Sequence, residues 1–301
     1  MSNKLKVSAL GISIICLIFF GLKINTLYAN TGQKKPIKIG WMAWTENEAL
    51  MGVAKAVLED KLGYEVKDVF LDVAVAYEAI AAGEIDVMFE VCVPNYHGNF
   101  WKKVSKDIFI SGCSYTFSEA ALYIPNYIPK DKVRSIYDLK KPEVRKKCRA
   151  RIIAIDAGSG QNQITERTIK AYKLDYDLIS GSEASNLAAL RKAVDKKAWS
   201  VHSLWNPHYI WGLIDARPLE DPLGTMGFPD FAGTAVRINF MKDYPRVVGR
   251  FLARYHLPKS EICKIMIWIA EEKMSAVQAG RRYLKENPKR VHYWITGEIG
   301  E

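Results

Sequence analysis

Short apolar runs alternate with stretches that carry apolar residues at helical spacing through most of the chain. Residues 37–42 form such a run, which predicts a short buried strand. Residues 45–48 then have the pattern of a capping box, and we expect a helix from there to Gly63. The same order recurs as far as the strand predicted over residues 199–204, which favours an α/β protein with largely parallel sheets.

Two apolar extended stretches flank the central series of elements. They cover residues 120–125 and 234–240, and we expect them to be paired crossings between two α/β lobes. On this division, lobe I consists of residues 30–124 and 234–301, and lobe II of residues 125–233. Two lobes whose strand ends face each other enclose a cleft, which is where a ligand would bind.

The first 29 residues have the pattern of a secretory signal peptide. Lys4 and Lys6 precede an apolar run over residues 7–22, and Ala29 is a small residue suited to signal cleavage. An uncleaved segment that tethers the protein to the outer face of the cytoplasmic membrane is the alternative. Both interpretations predict export, to the periplasm in the first case.

Composition and charge give little sign of a macromolecular ligand. Hydrophobic residues make up 49% of the chain and charged residues 25%, as in ordinary soluble proteins. The formal net charge is +10, but the basic residues are scattered and form no stripe with interleaved aromatic residues. We therefore expect no nucleic-acid partner.

Catalytic and metal-binding motifs are missing from the sequence. It contains no phosphate-binding loop, nucleophile elbow or HExxH helix, and no cysteine or histidine spacing typical of a metal site. This favours a binding protein over an enzyme, without cofactor or metal. Four cysteines follow the predicted signal, and their even number permits disulfides in three connectivities. They are Cys92, Cys113, Cys148 and Cys263.

Aromatic and glycine residues occur where predicted strands end. Trp44, Cys92, the loop at residues 158–160 and Trp205 all follow strands, and open α/β sheets bind ligands at such strand ends. Aromatic ring faces attract cations, and a cage of rings holds a quaternary ammonium group well. The stretch SLWNPHY around Trp205 is therefore a candidate ligand pocket, although most aromatic clusters simply pack in a core.

Several motifs resemble one family, the exported substrate-binding proteins of glycine betaine, proline betaine and choline ABC importers. The resemblance covers almost the whole chain after the predicted signal, in the order KIGWMAWTENEAL, LGYEVKDVFLDVAVAYEAIAAGEIDVMFEVCVPNYH, IIAIDAGSGQ, and SLWNPHY followed by PLEDP. Each motif alone is a weak signal. Their number, order and spacing together make the resemblance strong.

The resemblance implies a type II periplasmic-binding-protein fold that closes on its ligand by hinge motion. Members hold a trimethylammonium group in a box of Trp or Tyr rings. Trp44 and Trp205 match box positions, and His208 matches a contact to the carboxylate or polar end of the ligand. Glu46 falls where choline-preferring members carry an acid beside the ligand, although an acid in the first turn also stabilises a helix.

One position departs from the family pattern. Many members read E-x-W-x-P-x-x-H where this chain has Glu90 to His97, so Cys92 replaces a box tryptophan. Another ring refills the place, or the smaller Cys92 leaves room for a bulkier ligand, or Cys92 forms a disulfide with Cys113. The candidate rings are Tyr96, Tyr115, Phe117 and Tyr123.

The glycine-rich loop has two interpretations. Gly158 and Ser159 could present backbone amides to an anionic group at the start of the next helix. A tight turn that requires glycine explains the same residues. Glu90 is a weaker candidate contact, because carboxylates near strand ends often cap backbone amides.

These features predict a solute receptor of an ABC importer. It would bind a quaternary-ammonium compound such as glycine betaine or choline in an aromatic cage, deliver it to a membrane permease, and work as a monomer. One alternative is a receptor of the same fold for a different small ligand, because of Cys92. Others are a cleft enzyme that uses Cys92 and His97, and a sensory receptor.

Overall fold

The computed structural model describes residues 34–299, so the predicted signal at residues 1–29 lies outside the described part of the chain. Its strands are β1 (Ile37–Trp41), β2 (Val66–Phe70), β3 (Val87–Val93), β4 (Ile108–Pro125), β5 (Arg151–Ile153), β6 (Asp177–Ile179), β7 (Val201–Asn206), β8 (Ala216–Pro218) and β9 (Asp230–Arg237). Its helices are α1 (Thr45–Asp60), α2 (Val73–Ala82), α3 (Gly98–Val104), α4 (Pro142–Lys147), α5 (Gly160–Ala171), α6 (Glu183–Asp195), α7 (Phe240–Asp243), α8 (Arg246–Arg254), α9 (Lys259–Ala270), α10 (Ala276–Glu286) and α11 (Pro288–Thr296). Short 3-10 turns cover Ile136–Lys140 and Tyr209–Gly212.

The strands form one curled sheet in the order β2-β1-β3-β9-β4-β7-β5-β6, and β8 pairs with the end of β4. Pairing is parallel within β2-β1-β3 and within β7-β5-β6, whereas β9 and β4 run antiparallel to their neighbours. The predicted α/β class is confirmed. The antiparallel strands lie in the middle of the sheet, between the two parallel groups.

The long strand β4 joins two sections of the sheet. Its residues 108–118 pair with β9, and its residues 119–123 pair with β7. We call the β2-β1-β3-β9 part the first section and the β7-β5-β6 part the second section. The stretch 120–125 therefore lies in the second half of β4, and the change of section occurs just before it, between Ser118 and Glu119.

Close packing of two helices fixes the position of α1. A Cβ on Gly52 would lie 2.1 Å from the carbonyl oxygen of Ala276, and one on Gly280 would lie 2.2 Å from that of Gly52. The backbones of α1 and α10 can approach this closely only because both positions are glycine. This contact fixes the middle of α1 against α10.

The start of α1 differs from the predicted capping box. Trp44 occupies the N-cap position, and Thr45 is the first residue of the helix. The Thr45 hydroxyl donates to Glu183 Oε1 over 2.6 Å, and its backbone N–H donates to Glu183 Oε2 over 2.8 Å. The capping-box prediction was wrong because a carboxylate distant in sequence takes the place of the local cap.

Residues 34–299 include no helix that is both long enough and apolar enough to cross a membrane.

Candidate ligand-binding pocket

A cavity of about 320 Å³ lies between the two sheet sections, where their strands end. The first section contributes Trp44, Glu46, Glu90, Cys92, Tyr96 and His97 to its wall. The second section contributes Ile155, Ser159, Gly160, Gln161 and Trp205, and Ser118 lines the cavity from the crossing strand.

Parallel strands explain why these side chains meet. Trp44 follows β1, Cys92 is the penultimate residue of β3, and Ser159 caps the start of α5 after β5, so each lies at a carboxyl end of the sheet. Trp205 lies near the end of β7, in the other section. The curl of the sheet brings the two edges face to face.

Five of the residues predicted for the site line this cavity: Trp44, Glu46, Cys92, Ser159 and Trp205. Gly158 lines a neighbouring, wider pocket that also touches Trp44 and Ser159. The structure does not bring His208 to the cavity wall.

Both ring nitrogens of His208 already have partners. Nδ1 accepts from the backbone N–H of Ile210 over 3.1 Å, so the proton is on Nε2, which lies 3.1 Å from Glu183 Oε1. Its ring centroid is 5.0 Å from that of Trp205 in an edge-to-face arrangement. His208 therefore supports Trp205 from behind, which differs from the predicted direct contact with the ligand.

Two carboxyl groups are buried in the cavity wall. Glu46 is 2% exposed and Glu90 is 3% exposed, and their side chains hydrogen-bond to each other. Glu90 Oε1 also accepts from the Tyr115 hydroxyl over 2.8 Å, and its Oε2 accepts from Asn47 Nδ2 over 2.9 Å. Two carboxyls in such contact share a proton, since both cannot carry charge so close together.

Burial dominates the titration of this pair. It raises the pKa of Glu90 to about 7, against favourable hydrogen bonds that lower it. Burial raises the pKa of Glu46 well above its ordinary value, and the neighbouring charge of Glu90 adds to the shift. Near neutral pH Glu90 is therefore partly ionised, and the cavity wall loses a proton as pH rises through about 7.

The backbone at Glu90 is unusual. Its φ is +70°, in the left-handed region that side chains rarely adopt, and the pairing of β3 with β9 shifts register between Met88 and Val91. Such strain costs on the order of 1–3 kcal/mol and is common at functional sites. The bulge gives Glu90 a place in the wall that a regular strand would not.

Aromatic rings cover two sides of the cavity. Trp44 stacks on His97 with ring centroids 6.0 Å apart, and its Nε1 donates to Asp156 Oδ2 over 3.0 Å. Trp205 lines the opposite section. Of the rings proposed to refill the place of Cys92, Tyr96 lines the cavity, whereas Tyr115 binds Glu90.

Cys92 and His97 are not arranged as a nucleophile and base. His97 Nδ1 accepts from the backbone N–H of Cys92 over 3.1 Å, and burial lowers the pKa of His97 to about 3. Burial also raises the pKa of the Cys92 thiol well above its ordinary value, which suppresses the reactive thiolate. The four cysteines of the described residues are all free thiols, so Cys92 forms no disulfide with Cys113.

The cavity wall contains two carboxyls but neither lysine nor arginine. Among residues 34 to 299, no group of three or more His, Cys, Asp or Glu side chains is placed to hold a metal ion.

Gln161 is the wall residue that the sequence interpretation missed. It is the second residue of α5, directly after the glycine-rich loop, and it is 2% exposed. The helix start after that loop was the available signal, because side chains in a first helical turn face the end of the preceding strand.

Comparison with known proteins places the chain among transport receptors. Residues 35–286 match the family model described as the substrate binding domain of the ABC-type glycine betaine transport system. A glycine betaine/carnitine transport binding protein of Listeria monocytogenes is 29% identical over 164 residues, which cover 54% of this chain and 54% of the relative. The chain thus spans about half the length of that curated relative.

Solved structures with the same fold cover nearly the whole described region. A glycine betaine/L-proline-binding protein from Borrelia burgdorferi has a TM-score of 0.81 and 26% identity, covering 87% of this chain and 97% of that chain. The lactococcal OpuAC protein, in its closed form with glycine betaine, has a TM-score of 0.80 and 26% identity, covering 87% and 100%. These relatives are transport receptors and not enzymes. The chain belongs to the family of substrate-binding domains of ABC-type glycine betaine transport systems.

Proposed function

We propose that this protein is the exported solute receptor of an ABC importer. It binds a quaternary-ammonium compound, of the kind represented by glycine betaine or choline, and delivers it to a membrane permease. The observation that carries the proposal is the cavity that holds Trp44 and Trp205 on opposite sections together with two buried carboxyls.

The chemistry of the wall suits a poorly hydrated cation. Ring faces attract a cation with about 0.5–2 kcal/mol each when water is excluded. The Glu46 and Glu90 carboxyls supply negative charge in a place of low dielectric, where it acts strongly. With neither lysine nor arginine in the wall, nothing there repels a cation.

Polar contacts across the cleft support capture by closure. Trp44 and Thr45 of the first section bind Asp156 and Glu183 of the second. We propose that the two sections belong to two lobes, residues 30–124 with 234–301 and residues 125–233, which close on the ligand by hinge motion. The 1–29 segment would direct export to the periplasm, where the receptor would act as a monomer.

The ligand class is tested by calorimetric titration of the purified chain. The panel holds glycine betaine, choline, carnitine, proline betaine, trimethylamine oxide and an uncharged amino acid. We expect saturable binding of at least one methylated ammonium compound. Loss of one ring in Trp205→Ala should weaken it by up to about thirtyfold, the equivalent of ~2 kcal/mol.

Trp199→Ala is the matched control, because Trp199 is partly buried in the second section but lies under Lys147, outside the cavity wall. Its binding should equal that of the unmodified chain. Thermal unfolding of both variants checks that they fold. An absence of binding across the panel, with an intact fold, would favour a different small ligand, as the replacement of a box ring by Cys92 suggests.

A further inference from the structure

One carboxylate joins the two sheet sections beside the cavity. Glu183 is the first residue of α6 in the second section, and it is 4% exposed although it does not line the ligand cavity. Both of its oxygens accept from Thr45 of the first section, Oε2 from the backbone N–H over 2.8 Å and Oε1 from the hydroxyl over 2.6 Å. Hydrogen bonds to a buried charged group are among the strongest in proteins, so this contact favours the arrangement in which the sections meet.

Two helix starts meet at this carboxylate. The first backbone N–H groups of a helix have no partner within the helix, and they carry partial positive charge. Trp44, the N-cap residue of α1, makes no side-chain cap there, whereas Glu183 itself belongs to the first turn of α6. The carboxylate therefore lies at the N-termini of two helices, one from each section. On the proposed hinge motion, it caps α1 only while the sections are together.

The same carboxylate also holds the support of Trp205. Glu183 Oε1 accepts from His208 Nε2 over 3.1 Å, and the His208 ring packs edge-to-face on Trp205. These two residues follow the sheet section of Glu183, so they stay with it when the sections separate. Thr45, on the other side, directly follows Trp44. Glu183 therefore connects the segments that carry both tryptophans of the cavity wall.

A second ion pair between the same parts of the molecule differs in burial. Arg191 of α6 lies 2.5 Å from Glu271, which directly follows α9, and the two side chains are 41% and 40% exposed. Helix α9 packs against α1. Exposed ion pairs contribute little, because water and salt screen their charges. The buried contact of Glu183 should therefore dominate over the exposed pair.

We propose, on the basis of the proposed function, that Glu183 is a positioning residue that holds the two sections together around a bound cation without contacting it. It fixes the start of α1, and with it Trp44, against His208 and Trp205. The cation leaves after the two hydrogen bonds from Thr45 break. This contact therefore limits the rate of dissociation and has little effect on the rate of association.

Thr45→Pro tests the contact without a change of charge. Proline removes the backbone N–H and the hydroxyl together, and it suits the first position of a helix, where that N–H makes no helical bond. Trp44 before it is already extended, with φ −112° and ψ 135°, as a residue before proline requires. Stopped-flow measurements use the methylated ammonium compounds of the titration panel. The dissociation rate constant should rise about tenfold, while the association rate constant stays nearly the same.

Thr45→Ser keeps both donors and is the matched control, so it should release the compounds as slowly as the unmodified chain. Thr45→Val removes the hydroxyl alone and should speed release by a smaller factor, which keeps the test decisive if the proline variant fails to fold. Glu271→Gln breaks the exposed pair and should change the dissociation rate by less than about twofold. Glu183→Gln should also speed release, but it removes a negative charge near Glu46, so the Thr45 variants decide.

Thermal unfolding without ligand checks that each variant folds. Two results would overturn the inference. If Thr45→Pro and Thr45→Val release the compounds as slowly as Thr45→Ser, Glu183 does not hold the sections together, although the proposed function stands. If no methylated ammonium compound binds the unmodified chain, the proposed function fails and the inference fails with it.

Discussion

A shared proton between Glu46 and Glu90 makes the charge of the pocket depend on pH. Other titratable groups near the pair are Glu183, Asp156, Asp230, Tyr77, Tyr96, Tyr115, Cys92 and His97. Cys92 and the three tyrosines have pKa values raised by burial, and His97 has a pKa lowered to about 3. These five groups therefore remain neutral between pH 5 and pH 8, where the pKa of Glu90 lies at about 7.

Affinity for a permanent cation should consequently rise with pH. A cation favours the ionised form of Glu90, so its binding below about pH 7 releases one proton from the pair, while Glu46 keeps the other. The dissociation constant should fall about tenfold per pH unit from pH 5 towards pH 7, and level off above it. Titrations at three pH values, repeated in buffers of different ionisation enthalpy, measure the protons released. Glu90→Gln should lose this dependence, and a constant affinity in the unmodified chain would contradict ionisation of Glu90 in this pH range.

His202 should make the fold sensitive to acid. Asn186 Nδ2 donates to the Ser203 carbonyl, so Asn186 Oδ1 accepts from His202 Nδ1 over 2.7 Å, and Nε2 lies 3.0 Å from Ser200 Oγ. Burial lowers the pKa of His202 to about 3, whereas in the unfolded chain it is about 6.5. The unfolded state therefore binds the proton first, and stability present above about pH 6.5 is lost as pH falls towards 3.

The measurement is urea unfolding of the unmodified chain and of His202→Gln at pH 7 and at pH 5. Between these values the unmodified chain should lose about 2 kcal/mol more unfolding free energy than the variant. Glu90, His97 and the remaining titratable groups are the same in both proteins. The difference between their losses of unfolding free energy therefore isolates His202. Equal losses in the two proteins would mean that the imidazole titrates normally in the fold.

At the scale of elements, local patterns predicted most of the fold. The alternation of apolar runs and amphipathic stretches was sufficient for the α/β class, since it depends on the periods of strand and helix. The extent of β4 was missed, because its pairing with β9 contains register shifts that break the alternation of side chains. After Ser118, β4 changes its partner from β9 to β7, and both of these strands are distant in the sequence.

The site residues also fall into two groups: those that a local motif indicates and those that depend on residues distant in the chain. Trp44 follows β1 and Trp205 lies near the end of β7, both in recognisable motifs, so the sequence indicated both. The cap at Thr45 depends on Glu183, which is 138 residues away. The orientation of the Gln161 amide depends on the carbonyl of Leu204, 43 residues away. A local sequence pattern predicts neither contact.

At the scale of the whole molecule, one glycine allows the two sheet sections to meet. A Cβ on Gly160, the first residue of α5, would lie 2.1 Å from the carbonyl oxygen of Tyr96 and 3.0 Å from its Cα. Both atoms are backbone and cannot rotate away. Gly98, the first residue of α3, has no atom within 4 Å of the corresponding position.

Gly160→Ala should therefore hold the cleft open without unfolding the protein. We expect its ligand affinity to fall at least tenfold, because the added methyl group collides with the Tyr96 backbone in the arrangement described. If the two sections separate by the proposed hinge motion, the collision is relieved and the melting temperature without ligand stays close to that of the unmodified chain. Small-angle scattering should show ligand-induced compaction in the unmodified chain and in Gly98→Ala, but little in Gly160→Ala. Equal affinity and equal compaction in the two variants would mean that the contact between Gly160 and Tyr96 does not control closure, and that the hinge tolerates a displacement of the two sections while the ligand is bound.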